Sequence, residues 1–220
     1  MDKLKTASLW ILLVIGQVCG AQSDPTAKAL LDEVSKTMGA YDNMYLRFSS
    51  YLVNEEAGIK KGDEPEQKGK VTLQKEKYYL EYLENIFIFD GAKLYRINDA
   101  EKEVTITEGD IEDDDLMLYP SKLLTFYKEG YNYKMGKLKN VKGRMIQYVS
   151  LFPIDSDSEI KEVEICVDKR TKHIYQLIQH GIDGVVTTLT VNEFKSNQEL
   201  SPTLFTFDRK KYELLEYIID

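Results

Sequence analysis

The sequence predicts a mainly β protein of the α+β class, in which one amphipathic helix precedes a large antiparallel sheet that is open or rolled. Three observations predict it. Apolar residues recur at spacings of three and four only near the start of the chain, between Pro25 and Tyr41. From Met44 onward they mostly alternate, in ten or so short segments separated by turn signals. Tyrosine, with 15 residues, dominates an aromatic content of 11%, and its ring packs on a half-buried strand while its hydroxyl reaches water.

The elements follow in chain order. Residues 1–21 place Lys3 and Lys5 before an apolar run from Leu9 to Val18, with small residues ahead of Gln22, which is the order of a cleaved secretory signal. The run is about half of the roughly 20 residues that a bilayer span requires. Cys19 and Ala21 fit the two small positions before a cut. The alternative, lipid attached to Cys19, is disfavoured because branched Val18 stands where a small residue is wanted. Cleavage leaves 27 basic and 36 acidic residues in one domain, 22–220, which is expected in the periplasm of a Gram-negative cell.

Helix 25–41 has Asp24 to cap it, Pro25 in its first turn, and a stripe of Ala27, Leu30, Leu31, Val34, Met38 and Tyr41. Met44, Leu46, Phe48 and Leu52 then share one parity, and Val71, Leu73 and Lys75 share a second strand face. Further strands are expected at 77–83, 85–90, 92–98, 101–107, 131–138, 143–152, 160–168, 172–180 and 184–195. A short helix is expected at 120–128, where Pro120 leads SKLLTFYK. Residues 54–68 and the acidic run 108–115 read as loops.

Composition narrows the function classes. A chain of 220 residues, 43% hydrophobic and 30% charged, fits a single domain. The net charge of −8 and pI near 5.0 argue against a protein that grips nucleic acid. After cleavage only Cys166 remains, so no internal disulfide can form. The acidic run lacks the spacing of a calcium loop, and His173 and His180 are seven apart without a second ligand in metal-binding spacing. Cys166 has no neighbouring base in the sequence and reads as packing. No nucleophile elbow, phosphate loop or dinucleotide fingerprint is present. No catalytic residue, metal or cofactor is expected. What remains is shape: a curved sheet whose concave apolar face meets the helix stripe, either as a solid core or as a cavity left open for a lipid-sized ligand.

Several fragments stand in a recognisable order: MYLRFSS, GKVTLQK, FDGAKLYRI, the Pro-led SKLLTF, and GVVTTLTVNEFKSNQELSPTLFTFD. From about residue 24 to 208 the chain resembles the periplasmic outer-membrane lipoprotein carrier family, the LolA-like proteins. The most specific pieces are the Asp90-Gly91-x-x-Leu94-Tyr95 turn and the ending from Gly184 through Phe194 and Asn197 to Phe205-x-Phe207. The resemblance implies an incomplete antiparallel β-barrel of about eleven strands, covered by helices that form a lid over a hydrophobic cavity. It implies a carrier without bond chemistry that takes acylated lipoproteins from an inner-membrane lipoprotein-releasing ABC transporter to an outer-membrane acceptor. Burying a methylene is worth roughly 0.8 kcal/mol, so an acyl chain of about 14 of them costs on the order of 11 kcal/mol to hold in water.

By parity and by the family's cavity, the acyl-binding residues are expected to be Leu30, Val34, Met38, Met44, Leu46, Phe48, Val71, Leu73, Leu123 and Leu124, about half of them touching ligand. Family members carry an Arg-Pro where this chain has Lys75-Glu76. Lys75 is the corresponding lid-latch candidate, and a looser one, because an ammonium lacks the planar fork of a guanidinium. The tail, DRKKYELLEYIID, also departs from the family, and Tyr212, Leu215, Tyr217 and Ile218 are expected to add a strand or a helical turn. A monomer is expected. Two alternatives share the fold or its chemistry: a periplasmic domain that senses lipid or lipoprotein, which usually carries a further small domain not expected here, and a general lipid-binding protein.

Overall fold

The computed structural model describes residues 23–108 and 120–220. The expected signal segment, Cys19 and most of the acidic run lie outside the described residues. Helix α1 (Pro25–Gly39) starts where the sequence places it. Asp24 caps it by accepting the Thr26 and Ala27 amides, and Pro25 occupies the first turn, where no amide hydrogen is needed.

Five strands follow α1 in hairpin succession: β1 (Met44–Asn54), β2 (Gln67–Gln74), β3 (Lys77–Tyr82), β4 (Asn85–Phe89) and β5 (Lys93–Asn98). Strand β6 (Glu103–Glu108) closes this first half. After two short 3-10 turns, Pro120–Leu124 and Phe126–Lys128, come β7 (Tyr131–Val141), β8 (Arg144–Pro153), β9 (Ile160–Asp168), β10 (Ile174–Gly181) and β11 (Val185–Ser196). The tail supplies α2 (Arg209–Leu214) and β12 (Ile218–Ile219).

Among the described residues all twelve strands belong to one sheet, in the order β12-β6-β5-β4-β3-β2-β1-β11-β10-β9-β8-β7. The pairing of β1 with β11 joins the two meanders, while β7 and β12 end the sheet unpaired with each other, so the barrel is incomplete. Two expectations are corrected. The sheet is not wholly antiparallel, because β12 runs parallel to β6. The segment 120–128 is not one helix but two 3-10 turns, interrupted at Thr125, whose backbone is neither helical nor capped by its side chain.

The concave face carries the main core. Ala27, Leu30, Leu31, Val34 and Met38 of α1 pack there on Leu46, Val71, Leu80, Val149 and Ile165. The convex face is covered twice. Over β3–β6, the tail lays Phe207, Tyr212, Tyr217 and Ile219 on Ile88, Ile97 and Val104. Over β8–β10, Ile146, Tyr148 and Cys166 form a smaller cluster. The tail therefore builds both a helical turn and a strand, with Tyr212 buried and Leu215 and Ile218 left exposed.

The end of α1 also masks the sheet's open edge. Asp24 N–H donates to the Tyr133 carbonyl at 2.9 Å, Tyr133 N–H donates to Ser23 Oγ at 2.9 Å, and Met135 N–H donates to Asp24 Oδ2 at 3.2 Å. These bonds satisfy backbone groups of β7 that no neighbouring strand reaches.

Candidate functional site

The concave face divides into a filled half and an open half. Beneath α1, Leu30, Val34 and Met38 are packed against the sheet together with Met44 at the start of β1. Leu46, Phe48, Val71, Leu73 and Leu123 surround a small apolar void of about 40 Å³. That is room for a few waters at most, far short of the roughly 300–1,000 Å³ of ordinary small-molecule pockets. Leu124 is half-buried against the same core. Of the two arrangements the sequence leaves open where the helix stripe meets the sheet, the contact between α1 and the sheet is packed core, because the stripe fills the part of the bowl it covers.

The hollow lies at the other end of the strands. It measures about 1770 Å³, beyond the roughly 300–1,000 Å³ of ordinary small-molecule pockets. Tyr82, Phe87, Leu94, Phe126, Tyr131 and Ile160 give it apolar walls, and Ser50, Arg96, Thr105, Thr107 and Thr187 give it polar ones. Three large apolar residues stand exposed on its lining, Leu52 at 43%, Leu83 at 49% and Ile182 at 68%. Leu52 thus leaves the buried row of Met44, Leu46 and Phe48 although its parity is right, because β1 has passed beyond the cover of α1 by that point.

Phe48 and Tyr82 form the partition between void and hollow. Their ring centroids are 5.3 Å apart, and the Tyr82 and Ser50 hydroxyls are hydrogen-bonded at 2.7 Å. The Phe48 ring rests directly on Gly69 of β2, where a Cβ would stand only 2.3 Å from Phe48 Cζ. Only glycine permits so close an approach.

Four contacts hold the cover in place. Tyr127 Oη donates to Asp32 Oδ1 at 2.9 Å, and Tyr133 Oη donates to the Tyr127 carbonyl. Lys172 Nζ pairs with Glu33 at 2.6 Å. Tyr41 Oη and His173 Nε2 are hydrogen-bonded at 2.9 Å. Burial, reinforced by the Asp32 carboxylate, pushes the Tyr127 phenol up to about 12, so it remains a donor throughout the physiological range. Burial lowers the His173 imidazole below its ordinary value, against the opposing pull of Asp168.

Lys75 takes no part in this. Strand β2 ends at Gln74, and Lys75 stands exposed in the β2–β3 turn at φ 56°. No hydrogen bond or ion pair joins it to α1 among the described residues. Its parity with Val71 and Leu73 fails because the chain has already left the extended conformation.

Cys166, His173 and His180 do not line the hollow. Cys166 is fully buried in the convex cluster, and burial, aided by the Glu164 charge, pushes its thiol up to about 12. A thiol so poorly ionised is unreactive at neutral pH. His180 Nε2 lies 3.3 Å from Glu164 Oε1, while His173 contacts Tyr41 and Phe194. Among the described residues no group of three His, Cys, Asp or Glu is placed to hold a metal, and no helix is long and apolar enough to cross a membrane.

Sequence reading missed the hollow's own lining, notably Phe87, Leu94, Phe126 and Tyr131. A signal was present. Along β1 the inward row changes from Met44, Leu46 and Phe48 to Ser50, and along β10–β11 from Leu177, Leu189 and Val191 to Gln179 and Thr187. Such a change along one face marks where a strand passes from packed core to water.

The model of the family described as outer membrane lipoprotein carrier protein LolA matches residues 59–208. No curated protein sequence matches the chain. Among solved structures, an uncharacterized conserved protein from Thermus thermophilus is similar with a TM-score of 0.59 and 11% identity, over 89% of this chain and 98% of that one. A DUF1329 family protein from Desulfovibrio piger aligns with a TM-score of 0.50 and 10% identity, over 87% and 99%. A putative outer membrane lipoprotein-sorting protein domain from Vibrio parahaemolyticus aligns with a TM-score of 0.47 and 13% identity, over 82% and 97%. Identities this low speak for the fold alone.

Proposed function

The chain belongs to the outer membrane lipoprotein carrier protein LolA family, and from that premise we propose that it is a non-enzymatic carrier of lipids or lipoproteins, working in the periplasm after its signal segment is removed. The observation that supports this most is the hollow of about 1770 Å³ with exposed Leu52, Leu83 and Ile182 on its lining. Large apolar side chains left in water around a cavity lose hydration cost when an apolar ligand covers them. An acyl chain would lie along Tyr82, Phe87, Leu94 and Phe126, with the polar head towards Arg96, Thr105 and Thr107. The ten residues expected from the sequence would then serve chiefly as the floor and cover against which the chain stops. Delivery from an inner-membrane lipoprotein-releasing ABC transporter to an outer-membrane acceptor is the transfer route this reading favours.

The test is loading. Native mass spectrometry of protein purified from a membrane-rich lysate is expected to show bound acyl species. A fluorescent fatty acid is expected to bind and to be displaced by diacyl or triacyl peptide at micromolar concentration. Ile182→Asp with Leu83→Asp is expected to weaken loading about tenfold while the circular dichroism spectrum stays unchanged, since a charge at the lining must be desolvated by the chain. A well-folded sample that binds no acylated peptide overturns the reading.

A further inference from the structure

The hairpin of β7 and β8 differs in charge from the rest of the molecule. From Gly130 to Ile154 it holds five cations, Lys134, Lys137, Lys139, Lys142 and Arg144, and no acidic residue, in a chain of net charge −8. None of the five forms an ion pair with a carboxylate among the described residues. Three of them are instead held by rings on the convex face. Lys137 Nζ and Lys139 Nζ each lie 5.0 Å from the centre of the Tyr148 ring, and the Arg144 guanidinium lies 4.5 Å from the centre of the Tyr175 ring. Gln147 fixes the bulge that brings Lys137 over Tyr148, donating from Nε2 to the Gly136 carbonyl at 2.8 Å and the Lys137 carbonyl at 3.3 Å. Of the acids on β9, Glu164 is turned to His180, and Asp168, in register with Ile146, accepts the Arg170 and Thr171 amides.

We propose that this strip is a docking surface for the anionic phosphate headgroups of a phospholipid bilayer. Charge complementarity identifies the occupant. Lys134, Lys137 and Lys139 stand on β7, Lys142 in the β7–β8 turn and Arg144 on β8, all five exposed, so that their long stems reach outward to a plane of diffuse negative charge. The exposed Leu138 and Met145 lie on the other face of the hairpin, in the row of Val149 and Leu151, so the contact is electrostatic. The acidic remainder of the molecule is repelled by such a bilayer, so the strip sets orientation as well as affinity. The hollow lies on the opposite face, where the far end of the same hairpin contributes Tyr131 and Pro153 to its wall, so docking through the strip leaves the lining of the hollow uncovered. Docking requires no cargo and is independent of the carrier reading.

The experiment is vesicle co-flotation of the full protein, without added lipid cargo. Vesicles of phosphatidylethanolamine with 30% phosphatidylglycerol, a composition of roughly ordinary anionic charge, are compared with phosphatidylcholine vesicles. Binding to the anionic vesicles only, weakening as salt rises, is the expected result. The triple variant Lys137→Gln, Lys139→Gln, Arg144→Gln is expected to lose about fivefold in binding per cation, on the order of 100-fold together. The control triple Lys60→Gln, Lys61→Gln, Lys68→Gln is expected to bind as the parent does. The proposal is overturned if the parent ignores anionic vesicles, if both triples lose binding equally, or if the first triple only aggregates while the parent floats with neither vesicle. That last outcome would assign the lysines to protection of the β7 edge, and capture of an acidic protein without vesicle binding would assign the strip to that partner.

Discussion

The two halves of the concave face are built from the same strands and differ in what covers them. Under the 3-10 turn that carries Pro120 and Leu123, inward residues of β1, β2, β10 and β11 close around a void of about 40 Å³. One or two residues further along the same rows, the strands line a hollow of about 1770 Å³. Curvature of the sheet supplies a bowl along the whole length of the strands, but α1 crosses them, its start bonded to Tyr133 and Met135 of β7 and Tyr41 at its end against His173 and Phe194. It therefore covers one band of the bowl, which continues past it along the strands. A lipid-sized space in this protein is made by a narrow cover over a long bowl, not by carving a hole in the core.

Substitutions can break this contrast or sharpen it. The largest effect is expected in the filled half. Leu31, 1% exposed, is expected to cost about 2–5 kcal/mol on truncation to Ala, measured by urea denaturation, with loading of the remaining folded protein preserved. A cost below about 1 kcal/mol would mean that the covered half is not tightly filled. Next is Gly69→Ala, whose Cβ must push the Phe48 ring aside. It is expected to cost about 1–3 kcal/mol and to change the acyl-chain length preferred, because the partition between void and hollow moves.

At the hollow the sign reverses. Leu83 and Glu84 both take positive φ, 52° and 60°, in the two-residue turn between β3 and β4, a turn that prefers Asn and Gly. Leu83→Asn is expected to stabilise the fold by about 0.5–1 kcal/mol while weakening acyl binding. Stabilisation without loss of loading would show that Leu83 does not serve the ligand.

The smallest effect is that of acid on the cover. The folded-state value of His173 is lowered below 6.5, chiefly by burial. The unfolded chain therefore takes up a proton first, and stability falls as pH drops below about 6.5 until the folded imidazole also titrates. His173→Gln is expected to flatten that part of the pH–stability curve. Carboxylates act in the same direction at lower pH. Asp24 and Asp32 are held below 3.8 by their hydrogen bonds to Thr26 and Lys28, so their contribution is complete above about pH 4 and is lost as pH falls through the folded values. Amide exchange along α1 at pH 5 and pH 3 would separate the two steps.

Much of the fold was legible in the sequence because each element carries its own local signal. Asp24-Pro25 starts α1 where it is found, and alternation places the long strands to within a few residues. Where local signals conflicted, reading faltered. Lys75 has the parity of a strand residue but the backbone of a turn, and Leu52 has the parity of core without its cover. The convex face offered a signal that was not used: Ile86, Ile88, Tyr95, Ile97, Val104 and Ile106 fill the second parity of β4–β6, and strands apolar on both faces need a cover on both. The tail supplies it.

The sequence by itself determined the family, the strand succession, the capped helix and the lack of a recognisable catalytic motif, since these depend on residue types at fixed local spacings. Only the tertiary structure decided where the space lies and which side chains reach it. A cavity is the volume left after sheet curvature and the placement of the covering helix have been matched, and that remainder is a difference between distant parts of the chain that no local pattern records.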